Sequence, residues 1–194
     1  MKKYINLFLV ISLLLSVNVL AQQNKKQDKK PDVKKVRVSP KAGVFQTVGI
    51  TDINISYSRP GVKNRKIWGE LVPYNKVWRT GADEATKITF STDVLIEGKK
   101  LPAGSYSFFA IPGEKEWTLI FNKVFDQWGA FTYNEAEDAL RIKVKPEAYS
   151  NHDWLLYSFT EMDPAHPLTA QINLIWEKLK VPFKVEGKGD GLTK

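Results

Sequence analysis

From residue 53 onward, apolar side chains recur at every second position: Ile53, Ile55 and Tyr57 alternate with Asn54, Ser56 and Ser58. A period of two gathers such side chains on one face of a strand, whereas in a helix it would scatter them around the circumference. The pattern returns at Ile88 and Phe90, at Tyr106, Phe108 and Ala110, and at Trp117, Leu119 and Phe121. It returns again at Leu140, Ile142 and Val144, set against Arg141, Lys143 and Lys145. Turn-forming strings separate the runs: Arg59-Pro60-Gly61, Glu97-Gly98-Lys99, Pro102-Ala103-Gly104, Pro112-Gly113 and Asn151-His152-Asp153. Short strands punctuated in this way predict an all-β chain, an antiparallel β-sandwich of jelly-roll-like or barrel-like form with at most short helices. Two segments read both ways. Residues 134–140 suit a short helix or a polar loop. Ile172, Ile175, Trp176 and Leu179 fit helical spacing as well as Ile172, Leu174 and Trp176 fit a strand, and strand is the expectation there.

The N-terminus carries a different signal. Lys2 and Lys3 precede an apolar run over residues 5–20 that closes on Val19-Leu20-Ala21, the order of a secretory signal peptide cleaved after Ala21. An apolar run of about 16 residues falls short of the roughly 20 that a spanning helix needs. The expectation is a chain exported to the periplasm or cell surface, with no transmembrane span once cleaved. Cysteine is absent, which excludes disulfides, thiolate metal sites and a lipid-modified N-terminal cysteine. Residues 22–37 are polar and charged and read as a basic flexible linker. Residues 38–186, roughly the length of one ordinary core, read as a single β-sandwich domain, and residues 187–194 as a flexible Gly-rich tail.

The formal charge of +8 invites a nucleic-acid reading, but two of its lysines leave with the signal and a net five charges sit on the linker, so about +1 remains on the domain. A near-neutral exported domain is not a nucleic-acid binder. The linker reads first as a spacer and second as a weak attractor of acidic glycans or lipid head groups.

The catalytic inventory is thin. His152 and His166 are the two histidines, neither at metal-ligand spacing, and no metal site or cofactor is expected. No Gly-x-Ser-x-Gly elbow, phosphate loop or dinucleotide fingerprint occurs. Adjacent Asp83 and Glu84 would face opposite ways on a strand and could share a site only from a loop.

Arginine usage says more. Lysines number 24 and arginines 5, yet Arg59, Arg65 and Arg79 fall within 21 residues, interleaved with Tyr57, Trp68, Tyr74 and Trp78. Arg in so lysine-biased a chain points to its planar five-donor fork. Either these guanidinium groups line a site for a small anionic or glycan-type ligand, or each pins a loop through backbone carbonyls. For Arg79 the flanking Trp78 and Thr80 favour the pin. Of the tryptophans, Trp117 and Trp154 read as core, and Trp68 and Trp128, beside Gly69 and Gly129, as surface.

The strings Tyr57-Ser58-Arg59-Pro60, Gly61-Val62-Lys63-Asn64-Arg65-Lys66-Ile67-Trp68-Gly69, Trp78-Arg79-Thr80-Gly81-Ala82-Asp83-Glu84-Ala85-Thr86 and Leu101-Pro102-Ala103-Gly104-Ser105-Tyr106 together resemble the domain-of-unknown-function family DUF2911. The resemblance runs over about residues 39–186. It implies an exported bacterial protein and no assigned activity. Two positions depart from the family pattern, Asp83 where Asn is usual and Asn64 where Gly is usual.

The expected function is a non-catalytic binding module for a small anionic or glycan-type ligand, with Arg59, Arg65, Trp68, Trp78, Arg79, Asp83 and Glu84 as its binding residues. A hydrolase using Asp83, Glu84 or His152 is the alternative. An envelope scaffold, which would show an exposed apolar patch, is the third reading.

Overall fold

In the second strand of the fold, Ile53, Ile55 and Tyr57 are buried while Asp52, Asn54 and Ser56 face solvent. The computed structural model describes residues 35–189. The expected signal peptide, residues 22–34 of the linker and residues 190–194 of the tail lie outside the described residues. All the strands among the described residues belong to one unit that begins at Val36.

In chain order the strands are β1 (Lys41–Val48), β2 (Thr51–Ser58), β3 (Thr86–Phe90), β4 (Val94–Ile96), β5 (Lys99–Leu101), β6 (Gly104–Ile111), β7 (Trp117–Asn122), β8 (Asp138–Val144), β9 (Glu147–Thr160) and β10 (Thr169–Glu186). They form a six-stranded sheet in the order β1-β2-β3-β6-β7-β8 and a four-stranded sheet in the order β5-β4-β10-β9. Every pairing is antiparallel. The all-β sandwich read from the period-two runs is the fold. Residues 134–140 divide between a single 3-10 turn at Glu135–Glu137 and the start of β8, and the ambiguous segment near residue 175 is strand. The Glu97-Gly98 signal is the two-residue hairpin between β4 and β5. Both residues take positive φ (47° and 75°), as a turn matched to strand twist requires.

Between the sheets Phe108 meets Phe121 at 5.1 Å between ring centroids and Phe183 of β10 at 5.4 Å. Each ring so buried contributes about 1.5–3 kcal/mol. Outside this core, on the far face of the six-stranded sheet, Ala85, Phe109 and Ile120 form a second small apolar cluster, capped by Ala130 and Tyr133.

One turn expectation is overturned. Asn151-His152-Asp153 lies inside β9, at a register break where Ile175 opposes Leu156 but Glu177 opposes His152. Two steps along β10 match four along β9, so β9 bulges away from its partner, and Glu177 takes φ 54° to allow it. Two tryptophan expectations are also corrected. Trp154 sits on the bulge and is exposed, and Trp68 is buried; Trp117 is core and Trp128 exposed, as expected.

Candidate ligand-binding site

Residues 59–85 join β2 to β3 without forming a strand, and they close one end of the sandwich. Their first turn is fastened to the bulge of β9. Val62 N donates to Asp153 O at 2.7 Å, and Leu155 N donates to Pro60 O at 3.1 Å. Arg59 Nε donates to Leu155 O at 2.8 Å. Arg65 Nε donates to Val62 O at 3.1 Å, and its Nη2 donates to Gly61 O at 2.6 Å. Arg59 and Arg65 thus hold backbone carbonyls, as the pinning alternative anticipated.

Further along, Trp78 pairs with Ala110 of β6, N to O at 2.8 Å one way and 2.9 Å the other. This draws Trp68 and Trp78 onto Trp117 of β7 and Trp176 of β10. Trp68 stands edge-on to the other three, at 4.9 Å from Trp117, 5.7 Å from Trp78 and 5.8 Å from Trp176, while Trp78 stacks on Trp176 at 5.9 Å. The indole N–H groups of Trp68, Trp117 and Trp176 are buried without an acceptor. Edge-on packing presents such groups to a neighbouring π face.

Thr80 is fully buried at φ 52°, a left-handed conformation that a β-branched residue rarely adopts. Its surroundings over-determine it. Its Oγ1 donates to Phe108 O at 2.8 Å, and its carbonyl accepts from Thr86 Oγ1 at 3.1 Å and from the Tyr157 hydroxyl at 3.0 Å. Burial pushes the Tyr157 hydroxyl far above its ordinary pKa, so it remains a donor. Gly81 follows because a Cβ there would stand 3.0 Å from Thr86 Oγ1 and 3.1 Å from Ser58 O.

This scaffold fixes Arg79, and here the pinning expectation fails. The Arg79 Nε is buried without a partner. Among the described residues, no side-chain hydrogen bond or ion pair engages its guanidinium. Burial pulls its pKa below the ordinary arginine value, with Asp83 opposing that shift. Arg79 borders a cleft of about 330 Å³ whose other walls include Lys63, Arg65, Asp83, Trp78 and Trp176. Val38 and Ser39 close one side.

Asp83 and Glu84 are already engaged. Arg37 Nη1 donates to Glu84 Oε1 at 2.9 Å, and its Nη2 reaches Glu84 Oε2 and, at 3.0 Å, Asp83 Oδ2. Lys41 Nζ stands 3.1 Å from Glu84 Oε1. Chiefly through Arg37, the Glu84 carboxyl is pulled down to about 2, which leaves it no proton to donate near neutrality. His152 faces Glu177 across the β9–β10 pair, with its ring 5.7 Å from that of Tyr149, and it is not part of the cleft wall. Among the described residues, no three His, Asp or Glu side chains group closely enough to hold a metal ion.

The cleft therefore gathers Arg65, Trp78, Arg79 and Asp83 from the expected set. Trp68 lies beneath it, Glu84 beside it, and Arg59 only supports it. Lys63, Trp176 and Arg37 were not foreseen. Arg37 ends the stretch that reads as linker, although the rarity of arginine applies to it as much as to its fellows. Asn64 at φ 56° and Asp83 at φ 57° both sit in the left-handed region that Gly, Asn and Asp tolerate best.

The family model described as "Protein of unknown function (DUF2911)" matches residues 39–185. Among curated proteins and among solved structures, none matches the chain.

Proposed function

The chain belongs to the DUF2911 family, whose description carries no activity, and we propose from the site itself that the protein is a binding module for a small anionic ligand held by Arg79. The observation that carries this reading is the half-buried Arg79 guanidinium, which borders a cleft with no acceptor of its own. A charge withdrawn from water without a hydrogen-bond partner is costly, and a carboxylate or phosphate in the cleft would supply that partner in the paired geometry that a guanidinium favours. Lys63 and Arg65 add positive charge at the rim, while Asp83 is neutralised by Arg37. The Trp78 and Trp176 rings give the cleft an apolar floor, suited to the ring of an acidic sugar. The same reading sets the protein outside the cytoplasm, supported by the charged, apolar and small-residue order of residues 1–21.

Titration calorimetry with phosphate, acetate and a uronic acid tests the proposal. Saturable heat with at least one anion, lost in Arg79→Gln while the circular dichroism spectrum stays unchanged, is the expected result. No heat with any of them, or equal binding by Arg79→Gln, overturns it.

A further inference from the structure

The loop between β7 and β8, residues 123–134, is built inside out. Gln127 and Tyr133 are turned inward, onto the buried Asn122 that ends β7. Asn122 Nδ2 donates to Asn134 O at 2.9 Å and to Asp138 Oδ1 at 2.8 Å, and Asn122 Oδ1 accepts from Val124 N at 3.1 Å. Buried Gln127 donates to Val124 O at 2.6 Å and accepts from Thr132 Oγ1 at 3.2 Å. Tyr133 bonds Asp138 and Arg141 through its hydroxyl, at 2.6 Å to each. Its apolar side chains face water instead: Phe131 is 84% exposed, Trp128 59%, Phe125 47% and Val124 45%. A loop free to collapse would reverse this arrangement, since burying rings is favourable and burying amides is not. The amide network holds the rings out.

We propose that this loop docks the protein on an anionic lipid surface, with Phe125, Trp128 and Phe131 entering the interfacial layer. Two observations favour lipid over a protein partner. Gln127, Thr132, Tyr133 and Asn134 are each engaged in bonds within the domain, which leaves little for directional recognition, and a fluid apolar layer requires none. Two lysines also stand beside these rings, against Asp126 as the one acid within residues 123–134. Lys87 Nζ lies 5.6 Å from the Phe125 ring centre, and Lys123 adjoins Val124. Arg37 is bonded to Asp83 and Glu84, and that pair is tied through its backbone to the aromatic loop. Gly129 N donates to Asp83 O and Ala85 N to Gln127 O, each at 3.0 Å, while Glu84 bridges Trp128. The chain that leads into Arg37 carries Lys25, Lys26, Lys29, Lys30, Lys34 and Lys35. Aromatic rings seat at the headgroup level, and clustered lysines are drawn to acidic head groups.

Vesicle co-sedimentation of the chain from Gln22 to Lys194 tests this; the described strands all lie in the unit that begins at Val36, so removing residues 1–21 takes none of them away. The vesicles are phosphatidylcholine alone and phosphatidylcholine with about a quarter phosphatidylglycerol, enough to give the surface a negative potential. The expected result is binding to the acidic vesicles, about tenfold weaker when Phe125→Ser and Phe131→Ser are combined, and weakened again at about 0.5 M salt, where charges are screened within a few ångströms. An unchanged melting temperature of the double variant shows that the loss is not unfolding. In a separate variant, Phe131→Trp, quenching of the added fluorescence by brominated lipid places the side chain in the bilayer. Absence of binding to acidic vesicles, or equal binding by the double variant, overturns the proposal. So does patch-dependent association with a protein from the envelope when no vesicle is bound.

Discussion

The guanidinium of Arg37 grips the carboxylate of Glu84 across 47 residues of chain, with Nη1 on Oε1 at 2.9 Å. The contact fastens the first described residues to the segment that forms the cleft, and it sets how that segment responds to acid.

Glu84 has a folded pKa of about 2 against an ordinary 4.5, so its pairing contributes stability above pH 4.5 and loses it as pH falls toward 2. Glu84→Gln is therefore expected to lower unfolding free energy at neutral pH by about 1 kcal/mol or less, because the pair is partly exposed. The difference from wild type should close as the medium is acidified through that window. Urea unfolding at a series of pH values measures it, and a gap that persists at the acid end would remove Glu84 from the account.

Deleting residues 22–35 is expected to leave the melting temperature nearly unchanged, since the segment is too poor in apolar side chains to add to the core. Arg37→Ala in the full chain is expected to lower it, because Asp83 and Glu84 are then left beside each other with Lys41 as the remaining cation on Glu84. Differential scanning calorimetry of the two variants separates the leash from the latch.

For Arg79 the expectation is unusual for a half-buried residue. Arg79→Gln should change stability by less than about 0.5 kcal/mol, or raise it, because the native guanidinium has no internal partner to lose. Denaturant unfolding beside wild type decides this; a loss of about 1–3 kcal/mol would reveal an internal anchor.

Thr80 allows a sharper comparison. Thr80→Ala removes the hydroxyl on Phe108 O while keeping a Cβ at φ 52°, and should cost about 1–2 kcal/mol. Thr80→Gly removes the same bond but relieves roughly 1 kcal/mol of left-handed strain, so it should be the milder change. If Gly is the worse of the two, the backbone there is not strained.

Strands β2, β3, β6, β7 and β8 were legible because a half-buried sheet imposes its period on the side chains directly, whereas no such run was read over β1, β4, β5 or β9. The bulge was not legible. Asn151, His152 and Asp153 are the polar residues a turn would use, and a register break uses them too. The same break misled the placement of Trp154, since a slip along a strand sends a side chain to the opposite face. Trp68 was misplaced for a related reason. Gly69, at φ 86°, marks a local turn, but a turn says nothing of which way its neighbour points. Two members of the arginine cluster, Arg65 and Arg79, line the cleft. The spacing could not separate Arg59 and Arg65, which hold carbonyls, from Arg79, which holds none: the Arg59 acceptor, Leu155 O, comes from backbone that only folding brings near, and the Arg65 acceptors depend on the local turn at Gly61 and Val62. Trp176 and Ser39 reach the cleft from nearly opposite ends of the domain, and no local pattern joins them.

The stitching of the β2–β3 connection to the β9 bulge has a consequence for time as well as space. The amides of Val62 and Leu155 are bonded across that seam at 2.7 and 3.1 Å, so their hydrogens leave only when the seam opens. In deuterated solvent the two should exchange together, on the slow clock of the sheet, while Lys63 and Asn64 beside them, exposed and outside any strand, exchange on the fast clock of a loop. The cleft would then have one wall that keeps its shape between ligand encounters and a rim free to adjust at each one.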